Sequence, residues 1–133
     1  MSRIFIIEDD ANLLYGLQAC FSSEGFEVEI SSGDEEIEDF LIWLKEGKCQ
    51  YLILDLLLPK IDGFELIERI KGEDELADLP IFVFTDLSDE DSRNRSMELG
   101  ADYYFIKNDF DVDEFSSKVI RIISNKQKFN KDE

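Results

Sequence analysis

Glu8, Asp9, Asp55, Thr85 and Lys107 are the residues of this 133-residue chain whose types could do chemistry together. Asp55 lies in the most apolar stretch, YLILDLLLPK (51–60). A carboxylate buried there alone is costly, so it must be paired, hydrogen-bonded, metal-bound or carried out of the core at an element's end. Three carboxylates and one ammonium brought together need a further counter-charge, and an all-oxygen donor set suits a hard divalent cation such as Mg2+. A carboxylate nucleophile, a metal held by oxygens, a lysine for one phosphoryl oxygen and a threonine hydroxyl for another are the parts of phosphoryl transfer to an aspartate. The chain has no Gly-rich phosphate loop, which argues against nucleotide chemistry of the P-loop kind.

Those residues are far apart in sequence, so elements must gather them. Five short apolar runs, 3–8, 26–30, 51–56, 80–85 and 102–107, alternate with helix-period segments, the pattern of an α/β fold with a doubly wound parallel sheet of five strands and five helices. Runs one, three and four are almost continuously apolar, as central strands are, whereas FEVEI (26–30) alternates like an edge strand. Helical spacing marks Leu13, Leu17 and Cys20; Ile37, Phe40, Leu41 and Leu44; Phe64, Ile67 and Ile70; and Val112, Phe115, Val119, Ile122 and Ile123. The helix over about 88–99 is predicted to start at Ser88, with Asp91 completing a capping box, and to end before Gly100; with few apolar residues it should be the least firmly packed. Asp10 is expected to cap the first helix rather than bind metal. Ligands of open parallel sheets sit at the carboxyl ends of strands, and right-handed crossovers would bring Glu8, Asp9, Asp55, Thr85 and Lys107 to one rim.

The totals limit the function classes. One domain is expected over 1–124, with a polar tail at 125–133 that should fray, and no effector domain after it. With 32 acidic and 14 basic residues the net charge is -18, which disfavours nucleic acid and anionic membrane as direct partners. Cys20 and Cys49 fit neither a disulfide framework nor a zinc spacing, and there is no histidine. Neither a signal peptide nor a spanning segment is visible, so a cytoplasmic location is expected.

Glu8-Asp9, Asp55 followed by Leu-Leu-Leu-Pro59, Asp62-Gly63, Thr85, Gly100-Ala101-Asp102, Tyr104 and Lys107 together resemble the receiver domain of bacterial two-component response regulators, in its stand-alone, CheY-like form. The resemblance implies a flavodoxin-like strand order 2-1-3-4-5. It also implies that Asp55 is the phosphorylation site and that the metal is held by Asp9, Asp55 and the backbone carbonyl of Leu57, with Glu8 reaching it through water. Thr85 and Lys107 would bind phosphoryl oxygens, and Tyr104 would be either a switch aromatic moving with Thr85 or a packing residue. The partners implied are a histidine kinase or phosphotransfer protein upstream and a downstream protein on the face of helix 4, strand 5 and helix 5. Such a domain is a phosphoacceptor that assists its own phosphoryl transfer and dephosphorylation, not an enzyme acting on a separate substrate.

Two positions depart from the pattern. Asp86 follows Thr85 where the family usually has a small residue, making it a candidate modulator of access to the site. Asn108 follows Lys107 where the family usually has a cis proline; a cis bond before a non-proline costs about 2.5–4 kcal/mol, so a trans bond and a rebuilt loop are expected. These departures support an alternative, a degenerate receiver that works as a constitutive interaction module. A carboxylate phosphatase is disfavoured, since Leu57 stands where a second acid would be needed.

Overall fold

The computed structural model describes residues 2–131, and within them five strands and five helices alternate along the chain: β1 (Arg3–Ile7), α1 (Ala11–Ser23), β2 (Glu27–Ser31), α2 (Ile37–Glu46), β3 (Tyr51–Leu54), α3 (Gly63–Lys71), β4 (Ile81–Thr85), α4 (Glu90–Leu99), β5 (Tyr103–Ile106) and α5 (Val112–Lys131). All strand pairs are parallel and the order is β2-β1-β3-β4-β5. The central strands are apolar on both faces because each face carries helices. Phe5, Ile7, Leu52, Leu54, Ile81 and Val83 pack toward α2 and α3, while Ile4, Ile6, Ile53, Phe82 and Phe84 pack toward α1 and α5. Each fully buried large apolar side chain contributes about 1.5–3 kcal/mol. β2, at an edge, alternates in burial as its sequence alternates.

Two expectations are adjusted, and the trans bond and rebuilt loop expected after Lys107 are present. Helix α4 begins one residue later than predicted: Asp89, not Ser88, is its N-cap, and its carboxylate accepts from the Ser92 N–H at 3.0 Å and the Ser92 hydroxyl at 2.9 Å. Both residues can cap, and the aspartate's charge also suits the helix N-terminus. The segment from 125, expected to fray, continues α5 as far as Lys131; Asp132 and Glu133 lie outside the described residues. The short 3-10 turn Lys107–Asp109 is the rebuilt loop, and no described peptide bond is cis. Thin packing of α4 is as expected, with Ser96 its one buried residue, and Gly100 closes it at φ 124°, where a Cβ would be strained and would meet Lys71. No helix among the described residues is long and apolar enough to cross a membrane.

Candidate phosphorylation and metal site

Strand register assembles the site. Ile7 pairs with Leu54, so the residues that follow them, Glu8 and Asp55, emerge side by side; Thr85 pairs with Ile106, so Lys107 emerges beside Thr85. The backbone N–H of Glu8 donates to Ser31 at 3.0 Å and that of Asp55 to Ile7 at 3.1 Å, which holds both main chains as they leave the sheet. Asp55 is thus one residue past its strand, which resolves a carboxylate within an apolar run. Its Oδ1 accepts from the Leu57 N–H at 3.1 Å and its Oδ2 from the Lys107 ammonium at 2.8 Å.

Lys107 also reaches Glu8 Oε1 at 2.7 Å, so one ammonium serves two carboxylates, both almost fully buried. Burial works against the charge on Lys107, yet the hydrogen bonds and charges of Asp55 and Glu8 outweigh it and hold its pKa above the ordinary value. For Glu8 burial wins: the carboxyl is pushed up to about 7, despite hydrogen bonds from Lys107 and the Asp10 N–H, and the Asp55 charge adds to the rise. Both partners shifting upward is consistent with a shared cation that does not neutralise the pair.

Asp9 is exposed, and its carboxylate closes a group with those of Glu8 and Asp55 in which one oxygen of each lies within 4.8 Å of the others. A hard-oxygen cluster with surplus negative charge, one of its members open to solvent, fits a divalent cation of the magnesium class. Asp10 lies outside that group and caps α1 through the Leu13 N–H at 3.1 Å.

Thr85 is fully buried, and its Oγ accepts weakly from the Leu87 N–H at 3.4 Å, while the Tyr104 hydroxyl donates to the Leu87 carbonyl at 2.7 Å. Thr85 and Tyr104 therefore hold opposite sides of one peptide segment. Leu87 was not legible as a link because it takes part through its backbone alone. Tyr104 also packs against the core on the α2–α3 side, which is the packing role. Asp86 is exposed beside Thr85, and Leu57 is about half exposed just after Asp55. A Cβ on Gly63 would stand 2.5 Å from the Leu56 Cα, so the glycine is what lets α3 begin against the Asp55 loop.

Comparison with known proteins identifies the family and the fold. The response regulator receiver domain family matches residues 4–120. The phosphate regulon transcriptional regulatory protein PhoB of Rhizobium meliloti is 36% identical over 107 residues, which is 80% of this chain and 46% of that protein. A CheY-like receiver domain protein of Methanospirillum hungatei superposes with a TM-score of 0.81 at 23% identity, covering 96% of this chain and 98% of that one. The BeF3-activated receiver domain of DrrB, a Thermotoga maritima protein, superposes at 0.76 with 28% identity, covering 93% and 98%. The chain spans less than half the length of the curated relatives it matches.

Proposed function

We propose, from the premise that this chain belongs to the response regulator receiver domain family, that Asp55 accepts a phosphoryl group in a Mg2+-dependent reaction and that the chain signals by protein binding. The observation that carries this is the convergence of Glu8, Asp9, Asp55 and Lys107 on one rim, with the nucleophile candidate hydrogen-bonded to the lysine. Asp9, Asp55 and the Leu57 carbonyl would hold the cation, with Glu8 contributing through water. Bound there, Mg2+ would screen the negative charge that builds up on the transferring group. An Asp55 oxygen attacks phosphorus, the bond from phosphorus to the donor's histidine nitrogen breaks, and that nitrogen keeps the electron pair and takes up a proton. Lys107, already 2.8 Å from Asp55, is placed to donate to one phosphoryl oxygen afterwards. Thr85 can donate its hydroxyl proton to another, since its long contact with the Leu87 N–H uses the oxygen only as an acceptor.

Such a domain is a signalling module rather than an enzyme in the ordinary sense. The upstream donor would be a histidine kinase or phosphotransfer protein, in the cytoplasm, and the downstream partner would meet α4, β5 and α5. Several relatives are named as transcriptional regulators, and one as a DNA-binding regulator; for the residues of this chain, net charge -18 favours a protein partner over direct contact with DNA. The test is intact mass after acetyl phosphate, with and without Mg2+. The wild type should gain one phosphoryl group only with the metal, and Asp55→Asn should gain none; equal labelling of the two would exclude Asp55.

A further inference from the structure

The negative charge of this chain is not evenly spread. Residues 115–131 contain Lys118, Arg121, Lys126, Lys128 and Lys131 and no acid, so with -18 overall the rest of the chain carries -23. Lys118, Arg121 and Lys128 fall at i, i+3 and i+10 along α5, on the side opposite the buried Phe115, Val119 and Ile123, and all three are exposed. Acids outnumber bases two to one, yet among the described ion pairs none involves a cation of α5. The two acids at the helix start are occupied: Asp113 accepts from the Cys20 thiol, and Glu114 exchanges hydrogen bonds with Asp111 in a capping box. Beside them is a groove of about 420 Å³ lined by Phe110, Ser117, Lys118 and Arg121 together with those acids, with the Lys118 ammonium 5.9 Å from the Phe110 ring centre.

We infer that the outward face of α5 is a docking surface for an acidic segment of a partner protein that carries an apolar anchor residue. Its carboxylates would lie along Lys118, Arg121 and Lys128 while the anchor enters the groove against Phe110. The narrowness of the stripe decides the kind of partner. A slim helix or extended segment can touch α5 alone, whereas a nucleic-acid duplex or a broad anionic surface would bring its charges against the acidic remainder. The inference rests on the reading of α4, β5 and α5 as the output face and narrows it to α5.

The experiment is fluorescence anisotropy with a labelled 16-residue peptide of Glu and Ala bearing one central Leu, against the unmodified chain and against its Lys118→Glu/Arg121→Glu/Lys128→Glu variant. All three positions are exposed, and circular dichroism of the variant is the check that it folds. The wild type should bind, more weakly as salt rises, and the variant should lose about tenfold or more in affinity. A Leu→Ser peptide should also bind more weakly. No binding to the wild type, equal binding to both proteins, or tighter binding of a 16-base-pair DNA duplex than of the peptide would each overturn the inference. Acetyl phosphate labelling of the same variant separates the two readings: it should match the wild type, and failure of both proteins to label would count against phosphoacceptor function while leaving the peptide result to stand by itself.

Discussion

At the scale of single residues, Glu8 bears the largest electrostatic cost in the site. Its folded pKa of about 7 lies above the ordinary 4.5, so its contribution to stability is fully present below pH 4.5 and is lost as pH rises through 7. With metal removed by chelator, stability to urea should therefore fall by on the order of 2–3 kcal/mol between pH 5 and 8, and Glu8→Gln should flatten that slope. An unchanged slope in Glu8→Gln would mean that another group titrates. Asp86 makes a kinetic case. Its exposed carboxylate next to Thr85 is expected to repel an anionic donor at the mouth of the site, so Asp86→Ala should label about two- to fivefold faster with acetyl phosphate, with the gain shrinking in high salt. Equal rates would show that the carboxylate stands clear of the donor's path.

At the scale of elements, α3 and α4 contrast. Helix α3 buries Phe64, Leu66, Ile67 and Ile70 and starts in contact with the Asp55 loop, whereas α4 buries only Ser96 and is tied down by its Asp89 cap and by Arg95, which lies 4.2 Å over the Phe64 ring. Asp89→Ala should cost about 1 kcal/mol and, because so little else holds α4, should show first as faster amide exchange in that helix. Exchange that rises evenly over the whole chain would show α4 to be part of the global cooperative unit. Gly63→Ala should be far more damaging, since the new Cβ meets backbone that a rotamer change cannot move; a melting temperature within a degree or two of the wild type would contradict that packing.

At the scale of the whole molecule, net charge -18 puts self-repulsion into the folded state, and the rim that gathers Glu8, Asp9 and Asp55 concentrates it. Magnesium should raise the melting temperature by about 5 °C at tenfold saturation, and Asp9→Asn with Asp55→Asn should abolish most of that gain. Sodium chloride at matched ionic strength supplies the screening control. An equal rise with sodium would show general screening rather than a site.

The strand and helix types were legible in the sequence because periodicity follows burial: continuous apolar runs for β1, β3 and β4, alternation for β2, and i, i+3, i+4 spacing for α2 and α5. The charged residues of the site were legible for a related reason, since a carboxylate or lysine at the end of an apolar run has few places to go other than the rim. The exact start of α4 was not, because Ser88 and Asp89 are both good caps and local chemistry does not choose between them. What only the tertiary structure decided lies in contacts between distant segments. Lys107 serves both Glu8 and Asp55, Thr85 and Tyr104 both bond to the backbone of Leu87, and Lys118, Arg121 and Lys128 of α5 are exposed with no partner among the described ion pairs. Sequence order specifies which groups exist and which face of an element they occupy; the distance between two such groups is set by strand register and by how the loops pack, which depend on the whole core at once.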